Sequence, residues 1–444
     1  MRVKAHGYFA AMFALCLSAC TTIPAITKTD MLNAELASIV NDARHPLASL
    51  SALVVRDGRV VYEAQFGRKF IDDSAPEKNV AANRDSMYRI ASISKLITTL
   101  GVMRLVEGGK LVLDQDVSAY LGWPLRNPHF PDTPITMRML LTHRASIVDD
   151  AGYYWEEKLG VNLKDIFTPG GAHFGTGDMW SKRAKPGAHF QYGNLNWGVI
   201  ATVMERVSGE RFDRLMKRVV FDPLGIRGGF NPAEMSAVDV ANIATLYRKR
   251  VEIDGKEVWN PRGPWVAQVD DYSRFAPVPR AGSRYVIGSN GTLFGPQGAC
   301  RLSAADLAGV MLMLMNDGIH DGARVLSAAS VREMLREQWR GDASSAGSEL
   351  SMNAWGLGNQ HFLDISAVAR GDRLVEVGGF KAVGHLGDAW GLRSAVVFDP
   401  RTKNGMIFLS GGVGFDPGTT PGNYSALYRY EERILSALYG RVLQ

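Results

Sequence analysis

The chain has 444 residues, of which 46% are hydrophobic, 21% charged and 9% aromatic. These values are typical of a globular protein with a large buried core, and they exclude a disordered or fibrous chain. The formal net charge is +5, but the basic residues are scattered and are not interleaved with aromatic side chains, which argues against a nucleic-acid-binding surface.

The N-terminal segment has the pattern of an export signal. Two basic residues precede an apolar run over residues 8–17, which is too short to cross a bilayer as a helix. Residues 17–20 read Leu-Ser-Ala-Cys and resemble the lipobox of bacterial lipoproteins. The resemblance implies cleavage before Cys20, lipidation of that cysteine, and a periplasm-facing protein anchored to a membrane of the bacterial cell envelope. The alternative is an ordinary secretory signal cleaved near Ala19; both interpretations export the protein.

The chain has three cysteines. Cys16 lies in the predicted signal and Cys20 would be lipidated, so Cys300 has no partner for an intramolecular disulfide. The fold is therefore expected to depend on its core, with Cys300 as a small buried residue.

Residues 21–28 are expected to form a short tether after the signal. The first elements after this tether are a helix and a hairpin. Apolar residues spaced three and four apart between 32 and 40 predict a helix, with Asp30 as its N-cap. Residues 50–56 and 59–66 are rich in β-formers and flank Asp57-Gly58, which is a strong signal for a two-residue hairpin turn. Residues 71–84 are polar and irregular, so they predict a loop.

A serine and a lysine three residues apart open the next helical pattern, which ends near Gly108-Gly109. Residues three apart share a helix face, so the Ser92 hydroxyl and the Lys95 amine can come within hydrogen-bond distance. A hydroxyl beside a base is a candidate nucleophile, and the N–H groups at a helix start favour negative charge that develops there. Ser-x-x-Lys alone also arises by chance, so this interpretation depends on the rest of the chain.

The middle of the chain is mainly helical. Apolar spacing after residue 195 predicts a helix that ends at Gly209, which puts Tyr192 and Asn194 on the turn before it. Residues 149–185 show no clear period and are expected to form loops and short helices around a cleft. Residues 247–300 show little period and are expected to form either a binding loop or a packed flap.

Strands return near the C-terminus. Helices are predicted from the capping-box-like Ser303 and from Ser327, and residues 384–388, 392–398 and 406–409 then predict adjacent antiparallel strands before a last helix. Strand-rich ends around a helical middle predict one sheet built from both termini.

Three short motifs follow one another along the chain: Ser92-Ile93-Ser94-Lys95, Tyr192-Gly193-Asn194 and His385-Leu386-Gly387. A second His-x-Gly at residues 173–175 precedes Tyr192 and has no strand pattern after it. With these motifs, residues 45–440 resemble the serine β-lactamases and penicillin-binding-protein-like hydrolases, closest to the class C, DD-peptidase and related esterase branch. The resemblance implies an α+β, β-lactamase/transpeptidase-like fold: an antiparallel sheet from both termini, flanked by helices, with a largely helical middle subdomain.

The predicted organisation follows from these patterns. Residues 1–19 form the signal peptide, 20–44 the lipid-anchored tether and the start of the first helix, and 45–444 the hydrolase domain. Within that domain, the sheet part is expected at about 45–90 and 340–444, and the helical part at about 91–339.

The motif residues permit acyl transfer without a histidine base. Lys95, if burial keeps it neutral, or Tyr192, if Lys95 draws its phenol toward the phenolate, could accept the Ser92 proton. Asn194 can orient Lys95 or a substrate amide. The alternatives are that Tyr192 is a core tyrosine, that Asn194 only caps a helix and that His385 is a satisfied strand histidine.

The resemblance also assigns the binding residues. It implies an oxyanion hole formed by the backbone N–H groups of Ser92 and Asp388, with Gly387 allowing a substrate close to the strand. His385 replaces the lysine of β-lactamases and is expected to be only partly charged near neutral pH, while Asp388 adds a negative charge. Both features reduce the expectation of an efficient β-lactamase, whose substrates are anionic.

The sequence therefore predicts a serine hydrolase that forms an acyl-enzyme on Ser92 and cleaves an ester or amide, either a small ester or a D-amino-acid peptide. The alternatives are a β-lactamase or DD-carboxypeptidase of the cell envelope, and a non-catalytic acylable receptor or scaffold. The expected partners are the acyl substrate and, through Cys20, a membrane. No cofactor is implied, and the spacing of the other histidines does not indicate a metal site.

Overall fold

The structure of the protein is a computed structural model that describes residues 27–153, 160–282, 284–341 and 352–444. The predicted signal peptide, the lipobox-like segment and Cys20 lie outside these ranges. Among the described residues, no helix is both long enough and apolar enough to cross a membrane.

The described ranges contain both short and long α-helices, with α2 and α6 the longest at 14 residues each. They are α1 (Lys28–Val40), α2 (Ser94–Glu107), α3 (Ser118–Leu121), α4 (Met137–Leu141), α5 (Leu163–Phe167), α6 (Leu195–Ser208), α7 (Phe212–Met216), α8 (Asp222–Leu224), α9 (Ala237–Asn242), α10 (Ala304–Met315), α11 (Ala328–Leu335) and α12 (Arg429–Leu438).

The strands fall near both ends of the chain, with short pairs between. They are β1 (Ser49–Arg56), β2 (Arg59–Phe70), β3 (Val80–Ala81), β4 (Tyr88–Arg89), β5 (Leu246–Arg248), β6 (Arg250–Ile253), β7 (Lys256–Trp259), β8 (Val266–Val269), β9 (Arg301–Leu302), β10 (Ile319–His320), β11 (Ala323–Arg324), β12 (Trp339–Arg340), β13 (Ala354–Trp355), β14 (Gln360–Phe362), β15 (Ala382–Ala389), β16 (Leu392–Asp399), β17 (Asn404–Ser410) and β18 (Gly412–Val413).

The main sheet is antiparallel and has nine strands in the order β12-β13-β14-β15-β16-β17-β1-β2-β3. Strand β1 from the N-terminal part lies between β17 and β2, with Leu50 opposite Ser410. The prediction of one antiparallel sheet from both termini is confirmed.

Both faces of this sheet are buried. Along β1, Leu53 and Val55 pack into the core that contains α2, α6 and α10, whereas Ala52 and Val54 pack into the core that contains α1 and α12. Successive strand residues point to opposite faces, so a strand covered on both sides reads as a continuous apolar run. This arrangement fixes the sheet between two helical layers.

The predicted first hairpin is confirmed. Asp57 and Gly58 have φ angles of 51° and 73° and connect β1 to β2, as expected for a two-residue turn with both residues left-handed. The predicted first helix is also present, but its cap is different. Thr27, not Asp30, is the N-cap, because the Thr27 Oγ1 accepts from the Asp30 N–H at 3.1 Å and the Asp30 carboxylate accepts from the Thr27 N–H at 3.0 Å.

The prediction of irregular structure over residues 247–300 is partly wrong. Strands β5 to β8 lie at its start, β6 pairs with β7, and β5 pairs with both β8 and β18. Residues of β6 and β7 are mostly exposed, but Asp254 and Gly255 between them have φ angles of 51° and 72° and form the same kind of two-residue turn as Asp57-Gly58. This hairpin therefore does carry a local sequence signal. The partner β18 is distant in sequence, so no local signal could reveal its parallel pairing with β5.

A buried ion pair supports the strand beside Ser92. Arg301 and Asp270 each expose 1% of their side chains, and the guanidinium contacts the carboxylate at 2.7 and 3.1 Å. Burial alone would raise the pKa of Asp270, but the charge of Arg301 offsets it and the pKa is lowered. Arg301 lies opposite Arg89, so the pair anchors β9 against β4, which leads into Ser92.

We expect Asp270→Ala to lower the free energy of unfolding by about 3–5 kcal/mol, because it leaves the Arg301 charge buried without its partner. Glu210→Ala is the control, since its ion pair with Arg218 is largely exposed and should contribute only about 0–1 kcal/mol. Urea unfolding measures both values. Equal losses in the two variants would show that the buried pair does not hold β9.

Candidate active site

Ser92 lies on a short turn that the core holds in place. Residues 91–93 form a 3₁₀ turn, and α2 begins only at Ser94, so Ser92 precedes the helix and does not open it as predicted. The Ile90 N–H donates to the Cys300 carbonyl at 2.9 Å, and the Cys300 N–H donates to Ser94 Oγ at 3.1 Å. These bonds hold the turn from both ends. Ala91 within it has a φ of 47°, an unusual value for a residue with a side chain.

Lys95 is buried and has three oxygen contacts. Its side chain is fully excluded from solvent, and Nζ lies 3.0 Å from Ser92 Oγ, 2.8 Å from Asn194 Oδ1 and 3.0 Å from the Gln297 carbonyl oxygen. Burial lowers the pKa of Lys95 to about 7, and the charge of Asp149 opposes this shift. A substantial fraction of Lys95 is therefore the neutral amine near neutral pH.

Tyr192 contacts the same serine. Its hydroxyl donates to Ser92 Oγ at 2.9 Å, and its ring lies 4.8 Å from Lys95 Nζ. The alternative of a tyrosine that only fills the core is wrong, because the phenol reaches the cavity residue Ser92. The structure therefore brings the first two predicted motifs together at one hydroxyl.

Asp149 fixes the orientation of Asn194. The Asn194 backbone N–H and side-chain Nδ2 donate to Asp149 Oδ2 at 2.7 and 2.9 Å, and the Leu195 N–H donates to Oδ1 at 2.9 Å. A carboxylate only accepts, so the amide group must turn its Nδ2 toward Asp149 and its Oδ1 toward Lys95. The Asn194 side chain makes no capping bond, and Asp149 caps α6 in its place. The alternative that Asn194 serves only as a helix cap is wrong.

His143 supports the Tyr192 turn. Its Nδ1 accepts from the Gly193 N–H at 3.1 Å, and its ring stacks on Tyr192 with centroids 4.4 Å apart. Burial, with the nearby charge of Lys95, holds the pKa of His143 well below its usual value, so the ring is neutral. Within the described residues no cluster of His, Cys, Asp and Glu side chains could hold a metal ion.

The third motif lies on β15 beside the Ser92 turn. Strand β14 pairs only with residues 382–384, so the motif residues of β15 pair with β16 alone. A Cβ on Gly387 would lie 2.6 Å from the Ile90 carbonyl oxygen and 2.3 Å from Ser394 Oγ. Only glycine lets the strand approach the turn this closely.

His385 is not the partly charged group that the sequence predicted. Its side chain is buried with 2% exposure, and its Nδ1 lies 2.5 Å from the Leu386 carbonyl oxygen. Burial and the nearby Lys95 lower the pKa of His385 to about 3. The ring is neutral at physiological pH because it is enclosed, with Trp355 packed edge-on against it.

Asp388 follows on the exposed side of β15. Its carboxylate is 63% exposed and pairs with Arg393, which lies over the Tyr428 ring at 4.2 Å. The negative charge expected beside the oxyanion position is thus balanced by a neighbouring cation.

A cavity of about 310 Å³ opens onto these residues. It is lined by Arg89, Ala91, Ser92, Tyr153, Asn194, Gln297, Gly298, Asp388, Ala389 and Trp390. Ser92 and Asp388, the two residues to which the resemblance assigns the oxyanion hole, therefore line the same space.

The sequence missed several residues of this site. Asp149, His143 and Gln297 lie far from the motifs they support and contribute a carboxylate, a ring nitrogen and a backbone carbonyl. Asp149 carries a weak signal, since a carboxylate suits the N-terminus of a helix, but its loop is 45 residues before the helix it caps.

Comparison with known proteins identifies the family. The family model described as Beta-lactamase matches residues 36–428. The chain belongs to the β-lactamase family. It is 28% identical over 189 residues to the D-alanyl-D-alanine-carboxypeptidase/endopeptidase AmpH of Escherichia coli, a stretch that covers 40% of this chain and 43% of AmpH. It is 29% identical over 205 residues to esterase EstB of Burkholderia gladioli, covering 42% and 48% of the two chains.

The fold of this β-lactamase family member extends over nearly the whole chain. The D-amino acid amidase of Ochrobactrum anthropi superposes with a TM-score of 0.60 at 17% identity, over 92% of this chain and 99% of the amidase. The predicted β-lactamase/transpeptidase-like fold is therefore confirmed. The sequence matches span less than half the length of the two curated relatives, so their activities enter below only as support for a proposal.

Proposed function

We propose that the protein is a serine hydrolase that forms an acyl-enzyme on Ser92 and cleaves an ester or amide. The observation that carries this proposal is the buried Lys95, whose Nζ lies 3.0 Å from Ser92 Oγ and whose pKa is lowered to about 7. A neutral amine within hydrogen-bond distance of a hydroxyl is an activated nucleophile pair.

The hydrogen-bond count favours Lys95 as the base. A neutral lysine amine has two N–H groups and one lone pair. Asn194 Oδ1 and the Gln297 carbonyl oxygen can only accept, so they take the two N–H groups. The lone pair is left to face Ser92 Oγ, from which it accepts the proton as the serine attacks the carbonyl carbon.

Tyr192 then serves the second half of the step. Its hydroxyl donates to Ser92 Oγ and its ring lies 4.8 Å from Lys95 Nζ, so it can pass a proton to the leaving group while the carbon–leaving-group bond breaks. The proton taken up by Lys95 replaces the one that Tyr192 gives. Water attacks the acyl-enzyme by the same route in reverse, which releases the acid and restores the Ser92 hydroxyl.

The proposed substrate is a small ester or a D-amino-acid peptide. A neutral His385 offers no fixed cation for a carboxylate, which is a poor match to an anionic β-lactam. One relative is named an esterase and another a D-alanyl-D-alanine carboxypeptidase, which supports both ester and D-peptide cleavage. A DD-carboxypeptidase is the second candidate, whereas a non-catalytic receptor would not need the assembled Ser92, Lys95 and Tyr192.

We expect a fluorescent fluorophosphonate to label the protein covalently and Ser92→Ala to abolish the label, because the probe reacts with an activated serine hydroxyl. Ser94→Ala is the matched control, since Ser94 lies in the same motif but faces the Cys300 N–H. Labelling is measured on gels and by peptide mass spectrometry. An unlabelled wild-type protein, or equal labelling of the Ser92→Ala variant, would overturn the proposal.

The pH profile should follow Lys95. Only the neutral amine accepts a proton, so kcat/KM is expected to rise with pH through about 7, the lowered pKa of Lys95. Asp149 raises that pKa by its charge, so Asp149→Asn should move the rising limb to lower pH. Asp150→Asn is the control, since its exposed carboxylate is next in the chain and should not move the limb.

The measurement is ester hydrolysis across pH 5–9. Lys95 would be contradicted as the base if the rising limb of the pH profile did not move in Asp149→Asn. The same conclusion would follow if the pH profile were unchanged in Lys95→Met. In Tyr192→Phe we expect a lower rate but the same rising limb of the pH profile. That result would show that the Lys95 amine, and not the Tyr192 phenol, is the group that titrates.

We also propose that the protein is exported and anchored to a cell-envelope membrane through lipidated Cys20. The apolar run and the Leu-Ser-Ala-Cys segment support this proposal. In a bacterial host given radiolabelled palmitate, the full chain should take up label, and Cys20→Ser should lose it and move to the soluble fraction. Unchanged membrane association and labelling in Cys20→Ser would contradict the anchor.

A further inference from the structure

The turn between β15 and β16 has an unusual residue for its conformation. Trp390 and Gly391 connect the strands, and their φ angles are 59° and 91°. A two-residue turn with both φ angles positive favours Asn, Asp or Gly, since a side chain is crowded against the backbone there. Tryptophan at this position is disfavoured by the turn itself, so the indole is explained by something other than local geometry.

The backbone of this turn is held from outside. A Cβ on Gly391 would lie 2.2 Å from the Tyr247 carbonyl oxygen, so the turn packs directly on β5. Tyr247 is 1% exposed and anchored in its own small core. On the other side, Ala389 and Leu392 are paired across the hairpin. These contacts determine the direction in which the Trp390 side chain leaves the backbone.

The Trp390 indole is not packed into the core of the fold. Trp390 remains 43% exposed, while Trp180, Trp197 and Trp355 are fully buried. Within the described residues, the Trp390 ring makes no hydrogen bond, no ring–ring contact and no cation–π contact. Trp390 does line the 310 Å³ cavity that contains Ser92. A large rigid apolar surface is therefore presented to the space where an acyl donor would bind.

We propose that Trp390 forms a subsite for a planar apolar group of the substrate, so that the preferred esters or amides carry an aromatic group beside the scissile carbonyl. This inference rests on the function proposed above. Two small residues, Ala389 and Gly298, also line the cavity, so part of its lining leaves room for a ring. The cavity volume equals that of about ten water molecules, which accommodates an aryl group and an ester together. Aromatic pairs prefer offset-stacked or edge-to-face arrangements, both of which a partly exposed indole permits.

The test uses Trp390→Asn, because asparagine suits the left-handed turn and removes only the indole. The substrates are ethyl acetate, ethyl phenylacetate, phenyl acetate and ethyl cyclohexylacetate, followed by proton release in a pH-stat. Ethyl phenylacetate carries its ring on the acyl side and phenyl acetate on the leaving-group side. For each of these two aryl esters we take the ratio of its kcat/KM to that of ethyl acetate. In Trp390→Asn, this ratio should fall about tenfold for one of the two aryl esters. Which ester is affected identifies the side that the subsite serves.

Two control variants distinguish the loss of aromatic stacking from a general loss of structure. Trp390→Phe should keep most of the ratio, and Phe275→Asn should keep all of it, because Phe275 is 71% exposed but does not line the cavity. The melting temperature of Trp390→Asn should equal or exceed that of the wild type, since the turn is relieved.

The inference is overturned if both aryl ratios stay constant in Trp390→Asn. It is also overturned if the ratio for ethyl cyclohexylacetate falls as much as the ratio for ethyl phenylacetate, because stacking requires a planar group. Fluorophosphonate labelling of Trp390→Asn at Ser92 distinguishes these outcomes from failure of the proposed function. A wild-type protein that takes no label and hydrolyses none of the esters would reject both.

Discussion

The arrangement of the site depends on one buried amine. Lys95 is fully excluded from water, where an isolated charge would cost roughly several kcal/mol. Burial of the amine therefore requires oxygen atoms that accept hydrogen bonds from its N–H groups. Asn194 Oδ1 and the Gln297 carbonyl provide these oxygens from two other segments of the chain. The same burial that lowers the pKa of Lys95 to about 7 therefore forces the helix start, the Tyr192 turn and the 297–301 segment to meet at Ser92.

Each of those segments is also held by buried contacts other than those of Lys95. The Ser92 turn is bonded to Cys300, and β9 beyond Cys300 is anchored by the buried pair of Arg301 and Asp270. The Tyr192 turn is held by His143 and, through Asn194, by Asp149. Because these supports are buried and directional, the reactive groups are positioned before any substrate binds, as electrostatic preorganisation requires.

The elements of the fold that could be predicted from the sequence are those with a short-range residue pattern. The Asp57-Gly58 hairpin, the capping box at Ser303 and the apolar runs of the C-terminal strands are confirmed because their signals lie within a few residues. The hairpin of β6 and β7 carries the same signal at Asp254-Gly255 but lies in a long stretch that otherwise shows no period, whereas the parallel pairing of β5 with β18 has no local signal. For the site, the motifs named the groups that touch Ser92. Asp149, His143 and the Gln297 carbonyl depend on tertiary proximity, and the neutral state of His385 depends on enclosure by Trp355, which no spacing encodes.

The walls of the cavity differ in how they are built, and this difference bears on selectivity. The wall with Ser92 and Asn194 is held by hydrogen bonds to the buried Lys95 behind it, so it can vary little without loss of the proton path. The wall at the end of β15 is a turn whose backbone is fixed by Gly391 against Tyr247, while its Trp390 side chain lines the cavity and remains 43% exposed. A fixed backbone with an unused side chain can change its chemistry without changing the fold. Under the proposed function, reactivity toward an acyl carbonyl would reside in the buried wall and the choice among acyl donors in the exposed one.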